Sequence, residues 1–93
     1  ALMAGNFRVR FNRSSDSLHL HLEGEFDGSS ASVLAHTLER HCNGSGRIVV
    51  HTDGLTSMHP FGLAVFQDHL LRVRNGQATV TFAGANRDRM APG

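Results

Sequence analysis

Ile48, Val49 and Val50 stand in an unbroken β-branched run, RIVVH, and a helical pattern opens beyond it at Pro60. A run of this kind without polar alternation reads as a strand buried on both faces, typical of parallel pairing. The elements around it agree. NFRVRFN alternates, with Phe7, Val9 and Phe11 on one face and Arg8 and Arg10 on the other, as a half-buried strand does. RSSDS supplies turn residues, and LHLHLEGEF alternates again with Leu18, Leu20 and Leu22 inward, completing an antiparallel hairpin.

After Asp27-Gly28-Ser29 comes a helical stripe of Ala31, Leu34, Ala35, Leu38 and Cys42, with Ser30 expected as N-cap and Asn43-Gly44 as the stop. The second helix carries Leu63, Phe66, Leu70 and Val73 on one face, widened by Ala64 and Leu71. Pro60 suits its first turn, Arg72 and Arg74 its negative end, and Asn75-Gly76 its close. ATVTFAG is a further strand, and ANRDRMAPG can begin a last helix. The order is β-β-α-β-α-β with a further helix beginning, which implies an α/β fold: a mixed β-sheet covered by helices.

Ninety-three residues suffice for one domain with one core, and 40% apolar content suits a folded chain. Ala1 and Leu2, ahead of Met3, look like a cloning remnant. No apolar run is long enough to span a membrane, the N-terminus lacks the apolar core of a secretory signal, and the single Cys42 cannot form an internal disulfide. A cytoplasmic location is expected. The net charge of +1 and the scattered arginines, which make up all nine basic residues, argue against nucleic acid or an anionic membrane as partner.

Seven histidines raise the question of a metal. His19 and His21 share one strand face, but it is the polar face and no carboxylate or cysteine completes a recognisable ligand spacing; His36 and His41 point to different sides of a helix. No metal and no cofactor is expected. Cys42 falls on the apolar stripe as a core thiol, Glu23 and Glu25 read as solvated charge, and neither a nucleophile elbow nor a Gly-rich phosphate loop is present. No catalytic set emerges, and the chain does not read as an enzyme.

One stretch stands apart. From Ile48 to Gly62, IVVHTDGLTSMHPFG resembles, without a gap, the strand-turn-helix signature of STAS domains, the family of bacterial anti-sigma-factor antagonists. That signature has a hydrophobic strand, an acidic or polar residue, a leucine, then Met-Asp-Ser-Ser-Gly-Leu opening a helix. Leu55, Met58, Gly62 and Leu63 match it. LEGEFD, from Leu22 to Asp27, resembles the family's Leu-x-Gly-x-Leu-Asp, Ala31 and Leu34 fall where its first helix begins, and Gly76 and VTFAG match its next strand.

The resemblance implies a non-catalytic protein-interaction module of bacterial signalling, binding a kinase-like anti-sigma factor. In many members a serine just before the glycine is phosphorylated by that partner, and a charge of roughly −2 at the interface abolishes binding. Here the family's Asp falls on His59, its first Ser on Pro60 and the phosphorylatable Ser on Phe61, so the usual switch is absent. Thr52, Thr56 and Ser57 lie on the approach to the turn and are weak substitutes. The expected docking surface is His59, Pro60, Phe61 and Gly62, bordered by Asp27 and Asp53, with Phe61 as an aromatic anchor; in the competing arrangement Phe61 folds back into the core beside Met58.

Two other functions suit the same resemblance. One is a STAS regulatory subunit of a membrane transport complex, bound to a transport ATPase. The other is a small-ligand or nucleotide sensor with the helix N-terminus as anion site, which Pro60 and Phe61 crowd. The family also continues with a further helix, strand and closing helix. The expectation is therefore a single domain over residues 1–93 with its C-terminal strand and helix lacking or truncated, and an exposed edge that favours a homodimer.

Overall fold

Alternating side chains build β2 (Phe7–Arg13) and β3 (Ser17–Phe26), and the three-residue β1 (Leu2–Ala4) precedes them; β1 pairs antiparallel with β2, and β2 antiparallel with β3. The structure, a computed structural model, describes residues 2–4, 6–14, 16–41, 46–73 and 79–90. Then follow α1 (Gly28–His41), β4 (Arg47–Met58), α2 (Pro60–Val73), β5 (Thr79–Ala83) and the short α3 (Arg87–Met90). The sheet order is β1-β2-β3-β4-β5, with β3, β4 and β5 mutually parallel. The expected mixed sheet and element order hold. Leu2 pairs with Val9 in β1, a strand the alternation did not announce. The expected helix stops Asn43-Gly44 and Asn75-Gly76, Cys42, Arg74, and the side chains of Leu71, Arg72 and Val73 lie outside the described residues.

Because the parallel strands follow one another in order, both crossovers step the same way, and right-handed crossovers then place both helices on one face. There α1 and α2 pack against each other. The consequence corrects one expectation: β4 is not buried on both faces. Ile48 and Val50 are buried under the helices, whereas Val49 and His51 are half-exposed on the opposite face. That outer face carries Arg8, Arg10, His19, His21, Glu23, Thr79 and Thr81, and no described helix lies over it. Glu23 reaches Arg10 at 3.3 Å and Arg8 at 3.7 Å, exposed pairs that contribute little to stability.

The core on the helical side joins Phe7, Val9, Leu20, Leu22, Ile48 and Val50 of the sheet to Ala31, Leu34, Leu38, Phe66, Leu70 and Met90. A chain of edge-to-face phenylalanines runs through it: Phe7 on Phe26 at 5.8 Å, Phe26 on Phe66 at 5.7 Å, and Phe66 on Phe82 at 5.9 Å. Phe11, expected inward, lies on the same side at the rim, where it is 39% exposed and meets the His41 ring at 5.9 Å.

The strand begun by RIVVH runs on for 12 residues, through the stretch read as the approach to a turn. Its register against β3 slips twice, between the pairs His21/His51 and Glu23/Gly54 and again between Gly24/Leu55 and Glu25/Ser57, so β4 carries the extra residues. Gly54 sits at the first slip because a β-carbon there would lie 2.5 Å from the Leu22 carbonyl oxygen. At the far end of the sheet Asp53 and Thr52 pin the β5–α3 turn. Ala85 N–H donates to Asp53 Oδ1 at 2.7 Å, and Asn86 N–H donates to Thr52 Oγ1 at 3.1 Å.

Phe66 sits at the centre of the aromatic chain and is fully buried. Phe66→Ala is expected to cost about 3–5 kcal/mol in urea denaturation; a loss under about 1 kcal/mol, the scale of a tolerated core swap, would contradict this packing.

Candidate functional site

Two strand-to-helix junctions meet at the carboxyl ends of β3 and β4. The His59 N–H donates to the Phe26 carbonyl at 2.8 Å, tying the end of one strand to the end of the other. Each chain then turns into a helix. In α1 the cap is Asp27, not Ser30 as expected. Asp27 Oδ1 accepts from the Ser30 amide at 3.0 Å, and its carbonyl accepts from the Ala31 amide at 2.9 Å. Ser30 is one turn inside, fully buried, with its hydroxyl 2.7 Å from the Glu25 carbonyl and 3.0 Å from Asp27 Oδ1. Sequence favoured Ser30 because it immediately precedes the apolar stripe; the helix starts earlier because Asp27 is placed by the end of β3.

In α2 the first helical bond runs from Leu63 N–H to the His59 carbonyl at 3.1 Å, so Pro60 occupies the first helical position as expected. Gly62 is required by the neighbouring junction. A β-carbon there would lie 2.6 Å from both the carbonyl carbon and oxygen of Asp27. Gly28 plays the reciprocal part for Phe61, whose Cε2 and Cδ2 would lie 3.1 and 3.2 Å from an added β-carbon. The two Gly-containing junctions therefore lock face to face, and the Phe61 ring rests over Gly28 while remaining 72% exposed. Phe61 does not fold back into the core; Met58 packs against the core from its edge.

The structure thus brings together Asp27, His59, Pro60, Phe61 and Gly62, and Ser29, Pro60, Phe61 and Ala64 in the two helix starts are exposed. Asp53 serves the β5–α3 turn instead. The hydroxyls near the junction differ in reach. Thr56 is exposed, Ser57 Oγ is buried with no hydrogen-bond partner among the described residues, and Thr52 is fully buried with Oγ1 donating to the Ala83 carbonyl at 2.9 Å.

One grouping escaped sequence reasoning. His51 lies opposite His21 in the β3–β4 register, so His19, His21 and His51 form one imidazole cluster on the outer sheet face. The His21 and His51 rings stack at 4.4 Å and 6°, and His19 Nδ1 lies 2.8 Å from His51 Nε2. Partial burial, then the neighbouring His21 and His19, hold His51 below the ordinary histidine value. The signal was present in HLH and VVH, but it needed the strand register to be read.

A single helical layer on a mixed sheet, with paired helix starts at the carboxyl ends of its parallel strands and no helix among the described residues long and apolar enough to cross a membrane, defines a class of α/β domain. The chain belongs to the STAS domain family: the family model described as "Mlab, STAS domain" matches residues 9–91. No curated protein sequence matches it significantly.

Among solved structures it is similar to Mglu in its L-glutamate binding form, at 13% identity and a TM-score of 0.73 over 90% of this chain and 28% of that one. Another Mglu structure aligns at 18% identity and 0.72, over 84% of this chain and 20% of that one. The chain therefore spans between a fifth and little more than a quarter of those Mglu chains. An anti-sigma factor antagonist from Mycobacterium paratuberculosis aligns at 13% identity and 0.67, over 95% of this chain and 77% of that one. At such identities the likeness is one of fold.

The Asp27 cap has a pH signature. Hydrogen bonds from the Ser30 amide and hydroxyl, with help from the Ser29 amide and nearby His59, hold its carboxyl below the ordinary carboxylate range. A depressed folded-state pKa stabilises the fold above the unfolded value of about 3.9, and that stability is lost as pH falls through the folded value. Asn also caps helices but does not titrate. The stability gap between wild type and Asp27→Asn in urea should therefore shrink as pH drops from about 6 to about 3; a gap constant over that range would contradict the assigned cap.

Proposed function

We propose that this STAS domain is a non-catalytic docking module whose contact surface centres on Phe61 and whose position 61 has lost the family's phosphorylation switch. The observation that carries the reading is a large aromatic ring held out at 72% exposure by the locked junctions beneath it. An exposed aromatic resting over a glycine, here Gly28, has the form of an interface anchor that fills a partner's pocket. Position 61 has no hydroxyl to phosphorylate, and the nearest hydroxyl of β4, Ser57 Oγ, is shielded from a kinase. The partner favoured is a kinase-like anti-sigma factor in the bacterial cytoplasm, in keeping with the structural likeness to an anti-sigma factor antagonist.

A second reading, a regulatory subunit bound to a transport ATPase, is favoured by the same lost hydroxyl, because such a subunit binds without a phosphorylation cycle. Both readings use the Phe61 surface. The partner recovered by wild-type protein from its native lysate can be purified and its affinity measured against variants. Phe61→Ala is expected to weaken binding by more than about tenfold, the scale of one hot-spot residue. Its urea midpoint should stay near wild type, since the ring is exposed. Unchanged affinity, with or without a loss of stability, would overturn the docking assignment.

A further inference from the structure

On the outer sheet face, away from the Phe61 junction, His19 and His51 present ring nitrogens to one another from neighbouring parallel strands. We propose that His19 Nδ1 and His51 Nε2 form a two-imidazole chelate for a divalent transition-metal ion of the copper-to-zinc end of the series. Imidazole nitrogens bind such ions at about 2.0–2.1 Å, so two ligands in adjacent coordination positions stand about 2.9–3.3 Å apart. The observed separation is 2.8 Å. The two nitrogens now face each other, with ring centroids 5.1 Å apart and 24° between planes, so each ring swings by about 35–45° about its side-chain torsions to aim its lone pair at a shared ion.

The other nitrogen of His19 supports the assignment. Ser14 Oγ lies 3.3 Å from His19 Nε2. Metal-binding histidines characteristically place their second nitrogen on a hydrogen-bond partner, which fixes the ring and the tautomer. With the Nε2 proton directed to Ser14, His19 Nδ1 carries the lone pair and accepts the His51 Nε2 proton. An ion enters when the His51 proton has shifted through solvent from Nε2 to Nδ1, so that His19 Nδ1 and His51 Nε2 both offer neutral lone pairs.

The face is reachable, since all three rings are half-exposed and no described helix lies over them. His21 stacks flat on His51 and does not aim at the same point, and no three of the described His, Cys, Asp and Glu side chains converge to enclose an ion. Water completes the coordination sphere, so the site is exchangeable rather than structural. Sequence reasoning saw only His19 and His21, and the ligand partner it lacked was on the next strand.

Tag-free protein stripped with EDTA is titrated with zinc chloride and with copper(II) chloride by calorimetry, and Tm is followed in parallel. One ion per chain is expected, with Tm rising by several degrees. His19→Ala and His51→Ala should each lower affinity by about tenfold or more, at least the cost of losing an outer-shell partner, while His21→Ala leaves it nearly unchanged. Pulsed electron paramagnetic resonance of the copper-loaded wild type supplies a readout independent of variant folding, with two coordinated imidazole nitrogens expected. Absence of stoichiometric binding, binding that survives both substitutions, or fewer than two imidazole nitrogens would each overturn the proposal.

Discussion

The hydrogen bond from the His59 amide to the Phe26 carbonyl is the point from which the rest of the domain is organised. It joins β3 and β4 where both are about to become helices, so the starts of α1 and α2 must lie side by side. Two helix starts at that spacing leave no room for side chains between them. Gly62 therefore meets the backbone of Asp27, and Gly28 lies under Phe61. The Asp27 carboxylate answers the free amides of α1, and Pro60 removes one from α2, so this end of the fold is electrostatically settled. What it offers to a partner is shape and an apolar ring. The docking role proposed above rests on that ring, and the junction has little free amide left to capture an anion.

The broad architecture was legible because it depends on local periodicity. Leu18, Leu20 and Leu22 alternate and are buried, Leu34 and Leu38 share a helical stripe and are buried, and the motif from Leu55 to Leu63 marks the second junction. The features that escaped depend on what a strand or helix meets across space. Val49 looked like a core residue because its neighbours are; only the one-sided placement of α1 and α2 exposes it. Asp27 and Ser30 are both good caps by composition, and the end of β3 decides between them. The double slip in β4 has no periodic signature beyond Gly54, and Leu2–Ala4 is too short to have any. Of the residues proposed for docking, His59, Pro60, Phe61, Gly62 and Asp27 lie together at the junction, while Asp53 holds another turn.

The fold separates its two notable surfaces. The Phe61 ring stands at the carboxyl end of the parallel strands, between the starts of the helices, whereas the histidine cluster lies on the sheet face the helices leave open. Both β3 and β4 run from the histidines to the junction, and the register between them slips twice between His51 and Met58. The polar outer face, with Arg10, Glu23, His21 and His51 arranged around a shallow hollow, is the surface against which any docking claim for the junction has to be judged.

The most direct measurement is therefore a map of amide chemical-shift changes in the isotopically labelled domain as the purified partner is added. The account predicts that the largest changes cluster at residues 27–30 and 59–64, where the two helix starts and the Phe61 ring lie. Changes concentrated instead at His19, His21, Val49 and His51 would contradict it and place recognition on the open face of the sheet.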